Sequence, residues 1–163
     1  MKFKILLIAL LFPLAAFADY ENRSITDACD YLKESGFNTR SYKKIYDNDY
    51  QCITNYIEIG SATHNKIANN IAYYVSGNQN SVKELKLVTN INQRSKSSEA
   101  INAILAASKT LTKKALGINL PDEISTAISN QKNLTVTHGK VNLQVVYINW
   151  PTGKGFEVKY IIK

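Results

Sequence analysis

Cys29 and Cys52 are the only cysteines in the chain, and no other feature limits its fold as much. In an exported protein an even pair reads as a disulfide. It would close a loop of about 24 residues, worth about 3 kcal/mol in chain-entropy terms. Two isolated cysteines at this separation match no zinc spacing. Cys29 falls on the apolar face of a helical pattern and Cys52 in a β-rich stretch, so the bond would staple a helix to a sheet.

The pairing presupposes an oxidising compartment, and the N-terminus carries the matching address. Lys2 and Lys4 head an apolar run from Ile5 to Leu14 broken only by Pro13. Ala16-Phe17-Ala18 then places small residues where a signal peptidase reads them. Residues 1–18 are expected to be a signal peptide cleaved between Ala18 and Asp19. The run falls short of the ~20 residues that span a bilayer, and Asp19 stands where a lipoprotein would carry Cys. The expected product, residues 19–163, is a single domain with no transmembrane segment, periplasmic or secreted. Abundant Asn, Ile and Lys fit an AT-rich bacterial genome.

Hydrophobic periodicity divides the product into elements. Ser24 and Asp27 form a capping-box-like start, and Ile25, Ala28, Cys29 and Leu32 share one helix face up to Gly36. Tyr42, Ile45 and Tyr46 fall on one side of a short helical turn predicted over 41–47, ended by Asp47-Asn48-Asp49. Residues 50–59 predict one strand, with Ile53, Ile57 and Ile59 on one face and Cys52 on the other. Strands over 69–76 and 82–91 flank a hairpin-type turn at Gly77-Asn78-Gln79-Asn80. Ser97 or Ser98 is expected to cap the longest helix, striped by Ile101, Ile104, Leu105, Leu111 and Leu116 and ended by Gly117. A shorter helix starts at Pro121, with Asp122 and Glu123 at the positive end of its dipole. Strands over 134–137, 141–148 and 156–162 complete the chain. Segregated strands and helices predict an α+β fold: an antiparallel sheet of five to six strands, with a long central helix and shorter helices on one face.

The residues that could carry chemistry are sparse. His64 and His138 are the only histidines. As base and acid they would define a small secreted hydrolase of phosphodiesterase or nuclease type, the alternative function. Neither has a second ligand at metal-binding spacing. Asp47-Asn48-Asp49 opens no calcium loop, because Cys52 stands where the EF-hand requires Gly. Thr152-Gly153-Lys154-Gly155 is no Walker loop, because Ile148 replaces the leading Gly. No cofactor or metal is expected, and no catalytic residue is assigned.

Surface chemistry is more informative. The chain carries a formal charge of +7, and loss of the signal leaves +5. Residues 19–91 contribute −1 and residues 92–163 contribute +6. Tyr42 and Tyr46 lie among Arg40, Lys43 and Lys44, while Trp150 stands beside Pro151 and Lys154. Aromatic anchors bordered by cations suit recognition surfaces. Tyr42, Tyr46, Trp150 and Lys154 are therefore the candidate partner-binding residues. The leading expectation is a non-enzymatic binding protein: an inhibitor, immunity protein or envelope accessory protein. Its partner would be a protein or an anionic envelope component rather than nucleic acid.

Overall fold

The computed structural model describes residues 24–63 and 67–163. The signal-peptide expectation and His64 lie outside them. The described chain is α+β, built on one antiparallel sheet of eight strands: β1 (Lys43–Tyr46), β2 (Asp49–Ile53), β3 (Ile57–Ile59), β4 (Asn69–Gly77), β5 (Val82–Ile91), β6 (Leu134–His138), β7 (Val141–Asn149) and β8 (Phe156–Ile162). The spatial order is β1-β2-β4-β5-β8-β7-β6, with β3 also paired to β4. Three helices, α1 (Ile25–Asp30), α2 (Ser97–Leu116) and α3 (Asp122–Ser129), cover the inner face.

Two departures from sequence expectation raise the strand number to eight. The helical turn predicted over 41–47 is instead strand β1, joined to β2 by the Asp47-Asn48 turn. Tyr42, Ile45 and Tyr46 have helical spacing, but the turn decides: Asp47 takes φ 40°, a left-handed conformation that Asp tolerates in tight hairpins. Tyr42 then stacks on Tyr50 across the hairpin instead of facing a helix core.

The single strand predicted over 50–59 divides at a bulge. Cys52 pairs with Val75, yet Ile57 pairs with Ile71, so the register slips by one residue between them. Thr54 accounts for the slip. Its backbone N–H donates to Tyr73 O (3.0 Å), while its hydroxyl accepts from the Tyr73 N–H (2.9 Å). A side-chain oxygen thus replaces one rung of the ladder. The slip reverses which face later residues point to. Cys52, Ile57 and Ile59 share the inner face, correcting the opposite parity expected for Cys52.

The helical layer follows its apolar stripes. Ile101, Ile104, Leu111 and Leu116 of α2 are buried, as are Ile124, Ala127 and Ile128 of α3. Opposite them stand the inward residues of the central strands, Tyr73, Leu85, Leu87, Val158 and Tyr160, all with no exposed surface. The expected serine cap of α2 does not form. A 3-10 turn over Arg94–Lys96 leads directly into the helix, and Lys96 occupies the cap position without a side-chain capping bond. Gly117 closes α2 in the left-handed region, as expected.

α1 has only six residues, too short to persist alone. The Ser24 hydroxyl accepts from the Asp27 N–H (3.4 Å), and Tyr73 Oη donates to Ala28 O (2.8 Å). The Cys29–Cys52 disulfide, with Cα atoms 6.1 Å apart, fastens α1 to β2.

Among the described residues, the outer face has no helix over it. Glu84 pairs with Lys86 along β5 and Glu157 with Lys159 along β8, both at 2.9 Å. Lys86 stands opposite Ile161, and Lys159 opposite Val88. The four charged side chains are only 19–27% exposed, so their stems lie along the sheet. Val88 and Ile161 are buried on this face, where no described helix lies over them.

Candidate functional site

The β1–β2 hairpin carries Tyr46, the most exposed of the large hydrophobic side chains among the described residues. All four β1 residues are exposed, Ile45 at 55% and Tyr46 at 77%. A bulge falls at Ile45, between the Lys44–Tyr50 and Tyr46–Asp49 pairs. Behind the tip, Tyr42 and Tyr50 stack with ring centroids 5.9 Å apart. Tyr42 Oη donates to Asn78 O in the β4–β5 turn (2.8 Å). Burial, then the neighbouring Tyr50, raises the Tyr42 pKa above the usual phenol value. Tyr42 therefore braces the hairpin, and Tyr46 is the side chain presented to solvent.

The β4–β5 turn that receives Tyr42 is itself stiff. Asn78 Oδ1 accepts from the backbone N–H groups of Asn80 (2.9 Å) and Ser81 (2.8 Å) and from the Ser81 hydroxyl (3.1 Å). A Cβ on Gly77 would lie 2.1 Å from Ser81 O, so only glycine fits there.

Trp150 and Lys154 occupy the loop between β7 and β8. Trp150 is half-buried, with its ring so close to Gly155 that a Cβ there would meet it at 2.5 Å. Gly153 N–H donates to Trp150 O (2.8 Å). Arg94 holds the loop from the α2 side, donating to Gly153 O (3.2 Å), Gly155 O (3.2 Å) and the Asn149 side chain. Its guanidinium also sits 5.1 Å from the Phe156 ring centroid. Lys154 is exposed at the loop tip.

These two groups are not brought together. Tyr50 pairs with the C-terminal end of β4, whereas Phe156 pairs with the last residue of β5, beside the start of β4. The hairpin and the Trp150 loop therefore lie at opposite ends of the strands. His138 ends β6, six strand spacings from β1, about 29 Å away.

An apolar cleft of about 300 Å³ opens beside β3, between Phe37, Ile57, Ile59 and the Ala103–Ala106–Ala107 stripe of α2. Its only polar side chains are Ser35 and Thr110, so it holds no titratable group. Among the described residues no three His, Cys, Asp or Glu side chains stand close enough to share a metal ion. No helix among them is long and apolar enough to cross a membrane.

Five of the ten cations in residues 92–163 make structural bonds. Arg94 holds the Trp150 loop, Lys96 donates to Ser61 O (2.7 Å), and Lys113 donates to Gly117 O (3.2 Å). Lys114 lies 3.5 Å from Glu34, and Lys159 pairs with Glu157. Sequence reasoning counted these charges as surface field without seeing their partners. Comparison with known protein families, characterised proteins and solved structures finds no match, so geometry alone carries the functional reading.

Proposed function

We propose that the chain is an exported, non-enzymatic binding protein of the inhibitor, immunity or envelope-accessory kind, acting on a protein or an anionic envelope component. The observation that carries this reading is the hairpin tip, where Ile45 and Tyr46 stand 55% and 77% exposed beside Lys43 and Lys44. An isolated exposed apolar residue is ordinary. Two adjacent ones at the tip of a disulfide-stapled, tyrosine-braced hairpin form a pre-ordered anchor, which loses little entropy on docking. The partly buried Trp150 with Lys154 offers a second contact at the other end of the sheet.

Affinity capture from an envelope extract at physiological salt tests the reading. The native chain is expected to retain a discrete partner. Ile45→Asp/Tyr46→Ala is expected to weaken its binding roughly thirtyfold, the scale of one interface hot spot. Recovery of no partner, or equal retention by the variant, would overturn it.

A further inference from the structure

The apolar cleft beside β3 follows one stripe of α2, and the two ends of that stripe differ in charge. Ala103, Ala106, Ala107 and Thr110 recur every three or four residues and line the cleft together. The same spacing carries the stripe back to Glu99 and on to Lys113 and Lys114. At one end, the Glu99 carboxylate lies so close to Gly60, next to Ile59, that a Cβ there would overlap it. At the other end, Lys114 lies 3.5 Å from Glu34, the neighbour of Ser35. Lys113 is exposed beside it and donates to Gly117 O. No carboxylate among the described residues is within ion-pair distance of Lys113. The cleft therefore has an acidic end and a basic end.

Both hydroxyl side chains of the lining, Ser35 and Thr110, belong to the basic end. The Thr110 hydroxyl donates to Ala106 O (3.3 Å), which leaves its oxygen able to accept. Between the ends the lining side chains are hydrocarbon, with Phe37, Ile57, Ile59 and Ile71 across from the alanines. The gap stays open because α2 offers only small side chains there, and a Cβ on Gly36 would meet nothing within 4 Å. Its volume of about 300 Å³ falls in the range of small-molecule pockets. An apolar cavity of about 150 Å³ already encloses benzene, so one aromatic side chain of a docking protein would leave this cleft partly unfilled.

We propose that the cleft binds a single-chain fatty acid, with its alkyl chain along the alanine stripe and its carboxylate at Ser35 and Lys113. Burial of the chain supplies the affinity, about fourfold for each methylene. Charge sets the direction, because Lys113 attracts the carboxylate and Glu99 repels it. A peptide segment fits less well, since its backbone polar groups would find no partners along the hydrocarbon lining. A neutral chain fits the gap but gains nothing from the charge difference between its ends. The inference goes beyond the hairpin reading and holds even if the hairpin binds nothing.

Equilibrium dialysis of the oxidised protein against hexanoate, octanoate, decanoate and dodecanoate, each below its micellar concentration, tests it. Affinity is expected to rise about fourfold per methylene and to level off once the cleft is full. Decanoate should shift the methyl resonances of Ile57 and Ile59, and decanol should bind more weakly than decanoate. Lys113→Glu, at an exposed position, should weaken decanoate about fivefold and leave decanol unchanged. Ala103→Leu should fill the cleft and lose both ligands while keeping the native circular dichroism. Ala106→Leu, at the more exposed edge, makes the same test should Ala103→Leu fail to fold. The Ile45→Asp/Tyr46→Ala chain should bind decanoate undiminished, and loss there would move the site to the hairpin and overturn the proposal. Absence of binding, indifference to chain length, equal affinity for decanol, native affinity in Lys113→Glu or retention of decanoate by a folded leucine variant would each overturn it as well.

Discussion

Tyr160 and Thr112 meet through their hydroxyls at 2.7 Å in the layer between α2 and the sheet, where neither is exposed. Thr112 also donates to Ser108 O (2.7 Å), so its oxygen is the acceptor for the tyrosine. Thr112→Val keeps the shape and leaves a buried phenol unsatisfied. The expected loss is about 1–3 kcal/mol in urea unfolding. Thr112→Val/Tyr160→Phe should cost less than the two single changes summed, because both polar groups are then gone. Tyr160 also shapes the alkaline limit. Burial raises its pKa, and burial with the Tyr56 hydroxyl raises that of Tyr74. In the unfolded chain these phenols ionise near pH 10, whereas in the folded chain they remain protonated beyond it. Their stabilising effect is therefore complete below about pH 10 and is lost as pH rises towards the folded-state values. Each adds a slope of about 1.4 kcal/mol per pH unit across that window. Tyr160→Phe should flatten the fall, as measured by unfolding at stepped pH; an unchanged slope would contradict this account.

At the level of elements, α1 and the β7–β8 loop are held from outside themselves. Six residues cannot sustain a helix, so reduction of Cys29–Cys52 should cost about 3 kcal/mol. The loss of amide protection should concentrate in α1, β1 and β2, while α2 remains protected. Uniform loss would mean that the disulfide supports the whole core. The loop depends on Arg94 in the same way. Arg94→Ala should release Trp150, the only tryptophan, and shift its fluorescence to the red. Its cost should be about 1 kcal/mol, because these bonds are partly screened by solvent. Legibility in the sequence also divides by element. α2, α3 and the long central strands are readable because each buries one face along its whole length, so the periodicity is clean. β1 is not, because Tyr42, Ile45 and Tyr46 fit a helical stripe and only the Asp47 conformation makes them a hairpin. The slip after Cys52 is invisible for a different reason: it depends on Thr54 meeting Tyr73, a contact across 19 positions. The aromatic candidates were visible as residues, but their roles were not. Tyr42 serves as a brace because Asn78 lies within its reach.

For the whole molecule, the question is what opposes self-association of an eight-stranded sheet whose helices, among the described residues, lie on one side. Net charge contributes, since +7 opposes close approach. The arrangement of charge on the outer face is expected to matter more, because the buried Val88 and Ile161 stand opposite Lys159 and Lys86 with no described helix over them. Each lysine is held flat by a carboxylate two residues away on its own strand, so cover depends on the long stem and its ion pair together. Truncation and reordering therefore separate the two contributions. Lys86→Ala/Lys159→Ala strips the stems and should bare a continuous apolar patch across β5 and β8, promoting self-association. The rearranged chain Glu84→Lys/Lys86→Glu keeps both charges but sets a shorter stem opposite Ile161, so it should associate only slightly more than the native chain. Light scattering across a concentration series checks the order: native, then rearranged, then truncated. If the truncated chain stays monomeric, the lysine stems are not what keeps this face apart from its neighbours, and net charge alone accounts for dispersal.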